Sequence, residues 1–469
     1  MATVFDTLLL ARAMVDVGAA THASQAALST WQHQRLGAVL AHAQQGSALY
    51  RERLQGVGPA ASRDDHPHFA QLAHMAPVTR GELMAHFDEW VTDPGLQLDG
   101  LTAFLADTSK IGQVYQKKYL VWESSGTGGS PGVFVQDARC MAVYDALETL
   151  RQPLGTPWQR LMDPMGLTQR LALVGATQGH FASLVSFERL RAVQPWRAGG
   201  VASCSILQPT AALLAELHAF APNVLATYPT AAVMLAEEAR LGRFRPRLRE
   251  VLTGGETLTP AMRRHIETHL HAPVRHSYGS SEFLPMGWEC PHGHMHLNTD
   301  WLLLEPVDHH HRPVPPGQPS CSVLLTSLVN TVQPLIRYEM GDHVTFSPEA
   351  CACGSPFPVV TVQGRRDDVL LLRGANGTVP LLPLAVSTVL EEQAGLFDFQ
   401  VRQRNDHTLV LCLPGQGEAA AQALARGCAA LADFAAAQGG QGTQVKGELG
   451  HTTPRGHSGK CCRIMPMAR

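Results

Sequence analysis

Apolar side chains recur at helical spacing across residues 1–60. Leu36, Val39, Leu40 and Leu49 mark the pattern, and residues 47–54 continue it, so this end of the chain is predicted to be helical. Thr79 stands three residues before Glu82, the spacing of a capping box, which predicts a further helix start there. The apolar run 119–122 reads as a short strand. From 133 to 285 the texture alternates. The runs 171–174 and 224–227 are apolar and strand-like, and 249–252 reads as a third strand; each ends in a polar or glycine turn, and helical patterns follow at 229–241 and after Thr259-Pro260. Strand, turn and helix in series imply a parallel sheet with crossover helices.

Beyond 297 the period shortens. Runs at 301–307, 323–327 and 359–362 read as strands, punctuated by Pro313, Pro315, Pro316 and Pro319. After Gly364 the texture changes again: short apolar runs at 369–372 and 408–413, an alanine-rich helical stretch at 418–437, and a glycine loop at 439–442. The expectation is an α/β chain. A large N-terminal domain, 1–364, carries parallel sheets, crossover helices and a β-rich subdomain. A small α+β domain, 365–469, follows.

Composition narrows the function classes. The chain has 469 residues, 45% hydrophobic and 16% charged, with a net charge of −3. That suits a core of ordinary globular size and gives no footprint for nucleic acid. No stretch approaches the roughly 18 consecutive apolar residues of a membrane span. Leu8-Leu9-Leu10 is interrupted by Asp6, Arg12 and Asp16 and does not read as a secretory signal. Ten cysteines without such a signal point to thiols or a metal site and to the cytoplasm. The lysines are Lys110, Lys117, Lys118, Lys446 and Lys460, against many arginines, so each is informative.

Candidate chemistry begins at Glu123-Ser124-Ser125-Gly126-Thr127-Gly128-Gly129-Ser130-Pro131-Gly132. Glycines let backbone N–H groups converge on an anion, and short hydroxyls add donors. A triphosphate suits such a turn; a surface loop rich in glycine and serine is the other reading. It is not the common P-loop, because no lysine follows Gly129. Downstream come Thr253-Gly254-Gly255-Glu256, then Ser277-Tyr278-Gly279-Ser280-Ser281-Glu282. Arg337-Tyr338-Glu339-Met340-Gly341-Asp342, Gly364-Arg365-Arg366-Asp367-Asp368 and Ser458-Gly459-Lys460 complete the series. Glycine pairs after a strand let a flat base approach backbone, and Glu282 is a hard oxygen donor suited to Mg²⁺. Each piece alone also reads as an ordinary turn.

In this order and at these distances the pieces resemble the adenylate-forming superfamily of acyl-CoA synthetases and adenylation domains. The N-terminal lead-in, Gly-Arg-x-Asp-Asp and the short C-terminal domain fit its phenylacetate-CoA ligase-like branch best. The resemblance implies an AMP-forming ligase that activates a carboxylic acid with ATP and Mg²⁺ and passes the acyl group to CoA. By the same likeness Ser124, Ser125, Gly126 and Thr127 hold phosphates. Gly254, Gly255, Glu256, Ser277, Tyr278 and Gly279 shape the adenine and acyl pocket. Ser281 contacts phosphate, Glu282 places Mg²⁺, Asp342 binds ribose and Arg365 lies beside the nucleotide. Asp367 is the hinge of a mobile C-terminal domain, and Lys460 reaches the carboxylate and the α-phosphate. The chain departs from the pattern at Gly128-Gly129-Ser130, where a basic residue is usual, and at Ser281, where Thr is common.

His180, Phe181 and Tyr228 follow parallel strands and could line an acyl pocket for a flat aromatic or cyclic acid; they read equally as core. Cys290, His292, His294, His296, Cys351 and Cys353 carry soft and imidazole donors at close spacing. The resemblance implies a structural zinc on Cys290, His296, Cys351 and Cys353, with His292 and His294 as rival ligands. It also implies a homodimer. Two other functions stay open: an adenylating enzyme whose acceptor is an amine or a carrier-protein thiol, and a non-catalytic nucleotide-binding protein.

Overall fold

The computed structural model describes residues 4–55, 67–124, 131–375, 377–456 and 459–467. The N-terminal periodicity becomes the helices Val4–Thr21, Gln25–Gly46 and Ala48–Arg53. Side-chain caps separate them: Ser24 accepts from the Ala27 amide and Ser47 from that of Tyr50. Their apolar faces bring Val17, Leu36, Val39 and Tyr50 onto a core that also holds Trp90 and Trp122. The Trp90 indole N–H donates to the Pro334 carbonyl at 2.6 Å, so its burial leaves no polar atom unpaired. At Arg80–Ala85 the Thr79 hydroxyl accepts from the Glu82 amide at 3.3 Å, the start that the spacing predicts.

The central sheet has nine strands. Val201–Ser205, Leu171–Gly175, Val224–Thr227, Glu250–Gly254 and Val274–Tyr278 lie side by side and parallel. The helices Ala182–Val193, Thr210–Phe220, Pro229–Arg240 and Pro260–Leu270 cross between them. Helices cover such strands on both faces, which is why Leu171–Gly175 is apolar throughout and wholly buried. The sheet then continues antiparallel through Gly287–Glu289, Met295–Leu297, Val359–Arg365 and Asp342–Phe346. Only Leu302–Val307, Ser322–Ser327 and Tyr338–Glu339 form a separate three-stranded sheet. The β-rich stretch thus divides between two sheets, a division that short alternating runs do not encode.

One ion pair is sealed inside the large domain. Arg151, at the end of the helix Ala138–Arg151, donates to both Asp300 oxygens at 2.8 and 2.7 Å and to Asn298. Its guanidinium lies 4.1 Å from the Phe357 ring centroid and 4.9 Å from that of Trp288.

The C-terminal portion has a core of its own, built from Leu370, Val386, Leu390, Phe399, Leu411, Leu431 and Ile464. A hairpin, Leu370–Gly374 with Gly377–Leu381, precedes a four-stranded sheet and the helices Pro383–Ala394 and Glu418–Ala437. The final strand, Ile464–Met465, pairs parallel with Gln400–Asn405, so the segment just before it, around Lys460, hangs from the edge of this sheet.

Candidate active site

The carboxyl ends of the parallel strands open onto Gly175-Ala176, Thr227-Tyr228, Gly254-Gly255-Glu256 and Tyr278-Gly279, the edge where ligands bind in such sheets. The loop of the small domain reaches into this edge. At Gly459, φ is +78°, and an added Cβ would fall 2.4 Å from Ile206 Cγ2. At Gly255, φ is +76°, and a Cβ would fall 3.1 Å from Lys460 Cε and 3.4 Å from Tyr228 Cε1. Both turns need glycine, for conformation and for room. The Lys460 ammonium stands 5.8 Å from the Tyr228 ring centroid.

Charges converge on this point. Burial holds the Lys460 ammonium below the usual lysine range; Arg365 pushes the same way, while Glu256, Asp342 and Glu282 oppose. Asp342 is buried, which raises its carboxyl against the pull of Arg365 and of the Tyr278 hydroxyl. Tyr278 O–H donates to Asp342 Oδ2 at 2.7 Å, and Arg365 Nε lies 4.0 Å from Oδ1. Burial acts to lower the Arg365 guanidinium, but Asp342 and Glu282 outweigh it and hold it above its usual value. Glu282 Oε1 accepts from Tyr338 O–H at 2.8 Å. Burial, with Glu256 beside it, pushes the Tyr228 phenol up to about 12, so it remains a donor.

The neck of the glycine loop is tied to the same edge. Ser124 N–H donates to the Gly132 carbonyl and Gly132 N–H to Ser124 Oγ, both at 2.8 Å. Trp122, two residues earlier, donates its indole N–H to the Ser281 carbonyl at 2.8 Å. Glu123 N–H donates to the His180 carbonyl at 2.9 Å. Strand, serine neck and the Ser281-Glu282 turn are therefore one connected unit. Ser125, Gly126 and Thr127 lie outside the described residues.

No protein-family model matches the chain. The phenylacetate-coenzyme A ligase of Thermus thermophilus is 33% identical over 180 residues, a stretch covering 36% of this chain and 39% of that protein. The phenylacetate-coenzyme A ligase of Escherichia coli is 25% identical over 366 residues, 74% of each chain. A solved 2-hydroxyisobutyryl-CoA ligase in the postadenylation state superimposes over 95% of this chain and 91% of its own, with a TM-score of 0.68 and 20% identity. In sequence the chain is similar to phenylacetate-coenzyme A ligases, and its fold is that of the solved CoA ligase. The same solved ligase in its thioesterification state gives a lower TM-score, 0.55, at the same coverage of this chain.

The described residues singled out by sequence take these places. Glu282, Asp342, Arg365, Glu256 and Lys460 are electrostatic neighbours. Tyr278 is buried, with its hydroxyl on Asp342 rather than on an open face. Ser277 Oγ donates to the Thr253 carbonyl at 3.3 Å. Glu256 turns towards the lysine loop: its carboxylate accepts from Thr230 N–H and O–H at 3.1 and 2.8 Å and from Cys461 N–H at 2.9 Å. Asp367 is exposed in the short turn Arg366–Asp368, between the last strand of the large sheet and the first of the small domain. His180 is 1% exposed, with Nε2 at 3.0 Å from the Asp107 carbonyl and its ring against Phe104. Phe181 is likewise buried.

Sequence reasoning passed over Tyr338, which holds Glu282, and Arg455, whose guanidinium donates to the Gly459 carbonyl at 2.9 Å and shapes the lysine loop. Tyr338 sits inside a motif already singled out, so its position was the available signal. Nothing in the pattern around Arg455 marks it.

Elsewhere in the large domain Cys290, His296, Cys351 and Cys353 bring their ligand atoms within 4.8 Å of one another. Cys290 Sγ lies 3.8 Å from Cys351 Sγ, and Cys353 Sγ 3.3 Å from His296 Nε2. His296 Nδ1 is 2.8 Å from the Phe357 carbonyl, which fixes the proton on Nδ1 and leaves Nε2 to face the sulfurs. His294 lies 3.1 Å from Cys351 Sγ, outside this set. Among the described residues no helix is long and apolar enough to cross a membrane.

Proposed function

We propose that this chain is an AMP-forming carboxylate ligase. It condenses ATP with a carboxylic acid, aryl or cyclic, to an acyl adenylate and pyrophosphate, then passes the acyl group to the thiol of CoA. One observation carries the reading: Lys460 from the small domain is drawn onto Gly255 and Tyr228, among Glu256, Glu282 and Asp342. A carboxylate and a triphosphate repel each other. A cation fixed where they meet stabilises the charge that develops at the α-phosphate, an effect worth about 10²–10³ in rate.

In this reading Lys460 bridges the acid and the α-phosphate, and Asp342 accepts the ribose hydroxyls beside Arg365. Gly254, Gly255, Ser277, Tyr278 and Gly279 form the floor for base and acyl group. Ser124, Ser125, Gly126, Thr127 and Ser281 hold the β- and γ-phosphates. Glu282, an oxygen donor kept in place by Tyr338, would hold Mg²⁺, whose charge offsets that of the phosphates. Tyr228 faces the acid with a protonated hydroxyl, and His180 and Phe181 back that wall. The small domain then turns about Asp367, withdrawing Lys460 so that the thiol can attack. The test is pyrophosphate release over a panel of acids, followed by product mass with CoA, or with amino acids in its place. Release without any CoA thioester would transfer the reading to an amine or carrier-protein acceptor. No release with any acid would leave only nucleotide binding.

The cysteine–histidine cluster fits a structural zinc on Cys290, His296, Cys351 and Cys353. A tetrahedral centre with bonds of about 2.3 Å spaces its ligands about 3.8 Å apart, close to the sulfur–sulfur distance here. Four protein ligands leave no open position, so the ion would pin the 290–296 hairpin to the 351–354 turn. Metal analysis of the purified chain should give about one zinc per chain; less than half an equivalent would refute it. None of the ten cysteines forms a disulfide, which suits the cytoplasm. Mass measurement in solution is expected to give a homodimer.

A further inference from the structure

Lys460 can act only while the small domain holds it in place, and the contact that holds it need not touch substrate. The helix Pro260–Leu270 of the large domain faces the helix Pro383–Ala394 of the small one across an open cleft of about 250 Å³. At the floor of this junction sits Glu391, whose side chain is fully buried. Its Oε2 accepts from the Thr259 hydroxyl, the cap of the large-domain helix, which also accepts from the Met262 amide. Its Oε1 accepts from Arg463 Nη2 at 2.6 Å. Arg463 lies three residues beyond Lys460, and its guanidinium stacks on Phe399 of the small-domain core, 4.0 Å from the ring centroid. Thr259 lies three residues beyond Glu256, which itself receives the Cys461 amide. A carboxylate with a fully buried side chain thus joins the two stretches that must meet for Lys460 to reach the strand ends.

We propose that Glu391 is a positioning residue, a latch that ties the Thr259 cap to Arg463 and so sets the lysine loop in its adenylating pose. The proposal rests on the ligase reading above. It predicts a role in one half-reaction only. Beside it Arg264 pairs with Glu392 at the surface, and Phe397 of the small domain packs on His265 and the large-domain core. In the ligase reading the small domain turns between the half-reactions, so the latch must release for the second.

The test uses the full chain with Glu391→Gln, which keeps the shape and removes the charge, and Arg463→Gln, which breaks the same pair from the other side. Misplacing a reacting group by about 1 Å costs up to ~10²-fold. Each variant should therefore form acyl adenylate roughly 10–10²-fold more slowly. Each should make thioester from supplied adenylate and CoA at the wild-type rate. Because both act on one contact, the double variant should be no slower than the worse single one. Hydrogen exchange, read by mass spectrometry, should quicken in residues 459–465 and stay unchanged in the core of either domain. Equal loss of both half-reactions, additive losses, or unaltered exchange at 459–465 would overturn the latch. If the wild-type chain adenylates no acid, the ligase reading fails, yet the exchange measurement still decides whether Glu391 holds the loop.

Discussion

Two arginine–carboxylate pairs with nearly the same chemistry lie at opposite ends of this molecule's mechanics. Arg151 and Asp300 are 2% and 0% exposed and meet through two hydrogen bonds, with Asn298 as a further acceptor and aromatic rings against the guanidinium. Both belong to the large domain, and so do all their partners. Glu391 and Arg463 are also well buried, but they meet by one hydrogen bond at the foot of an open cleft, and their third partner, Thr259, belongs to the other domain. Burial alone does not separate a structural pair from a moving one. What separates them is whether the surrounding contacts cross a junction that can part.

The comparison breaks most visibly at the sealed pair. Asp300→Ala leaves Arg151 charged, buried and unpaired, which should cost about 3–5 kcal/mol of stability. The loss should appear in urea unfolding, while the ratio of adenylate to thioester formation in whatever folds should stay at its wild-type value. A changed ratio would mean that this pair, too, communicates with the site. Next in size is the group that the latch serves. Lys460→Ala should slow adenylation by about 10²–10³ and spare transfer from a preformed adenylate. That loss is the ceiling for any effect of Glu391→Gln. A latch variant slower than Lys460→Ala would be doing something other than placing the lysine.

Much of this was legible from the chain. The apolar runs before Gly175 and Tyr228 become parallel strands because strands covered on both faces favour hydrophobic side chains. The helix Glu418–Ala437 falls where the alanine-rich pattern predicts it, since alanine loses little on entering a helix. The ordered turns from Ser124 to Lys460 marked the neighbourhood of the site. What sequence did not carry was direction. Glu256, which the resemblance implies helps shape the adenine and acyl pocket, has a carboxylate that accepts from Thr230 and from the Cys461 amide, partners no local pattern announces. Glu391 drew no attention at all, because a glutamate in the run Ser387–Ala394 looks like an ordinary solvated helix face. Its meaning comes only from Thr259 and Arg463, 132 and 72 residues away in the chain. Contacts of that separation leave no local pattern, and a one-sequence reading of periodicity cannot see them.

The smallest expected effect is the most discriminating. Arg264 and Glu392 also bridge the junction, one residue along the small-domain helix from Glu391, through two hydrogen bonds of 2.6 and 2.7 Å. By hydrogen-bond count this pair is the stronger link. Yet its side chains are 61% and 37% exposed. Water and salt screen such a pair, and holding two long side chains in one geometry costs entropy, so it is worth about 0.5 kcal/mol or less. Glu392→Gln should therefore change adenylation by no more than about twofold, and raising the salt concentration should erase even that. The neighbouring Glu391→Gln should keep its effect at high salt, because salt ions do not reach a carboxylate with no exposed surface. Measuring both variants at low and high salt in one adenylation assay compares the two links directly. Equal, salt-sensitive losses would make the junction a diffuse electrostatic contact. A large salt-resistant loss at Glu391 beside a small salt-labile one at Glu392 would show that desolvation, and not the number of hydrogen bonds, selects the residue that holds the domains together.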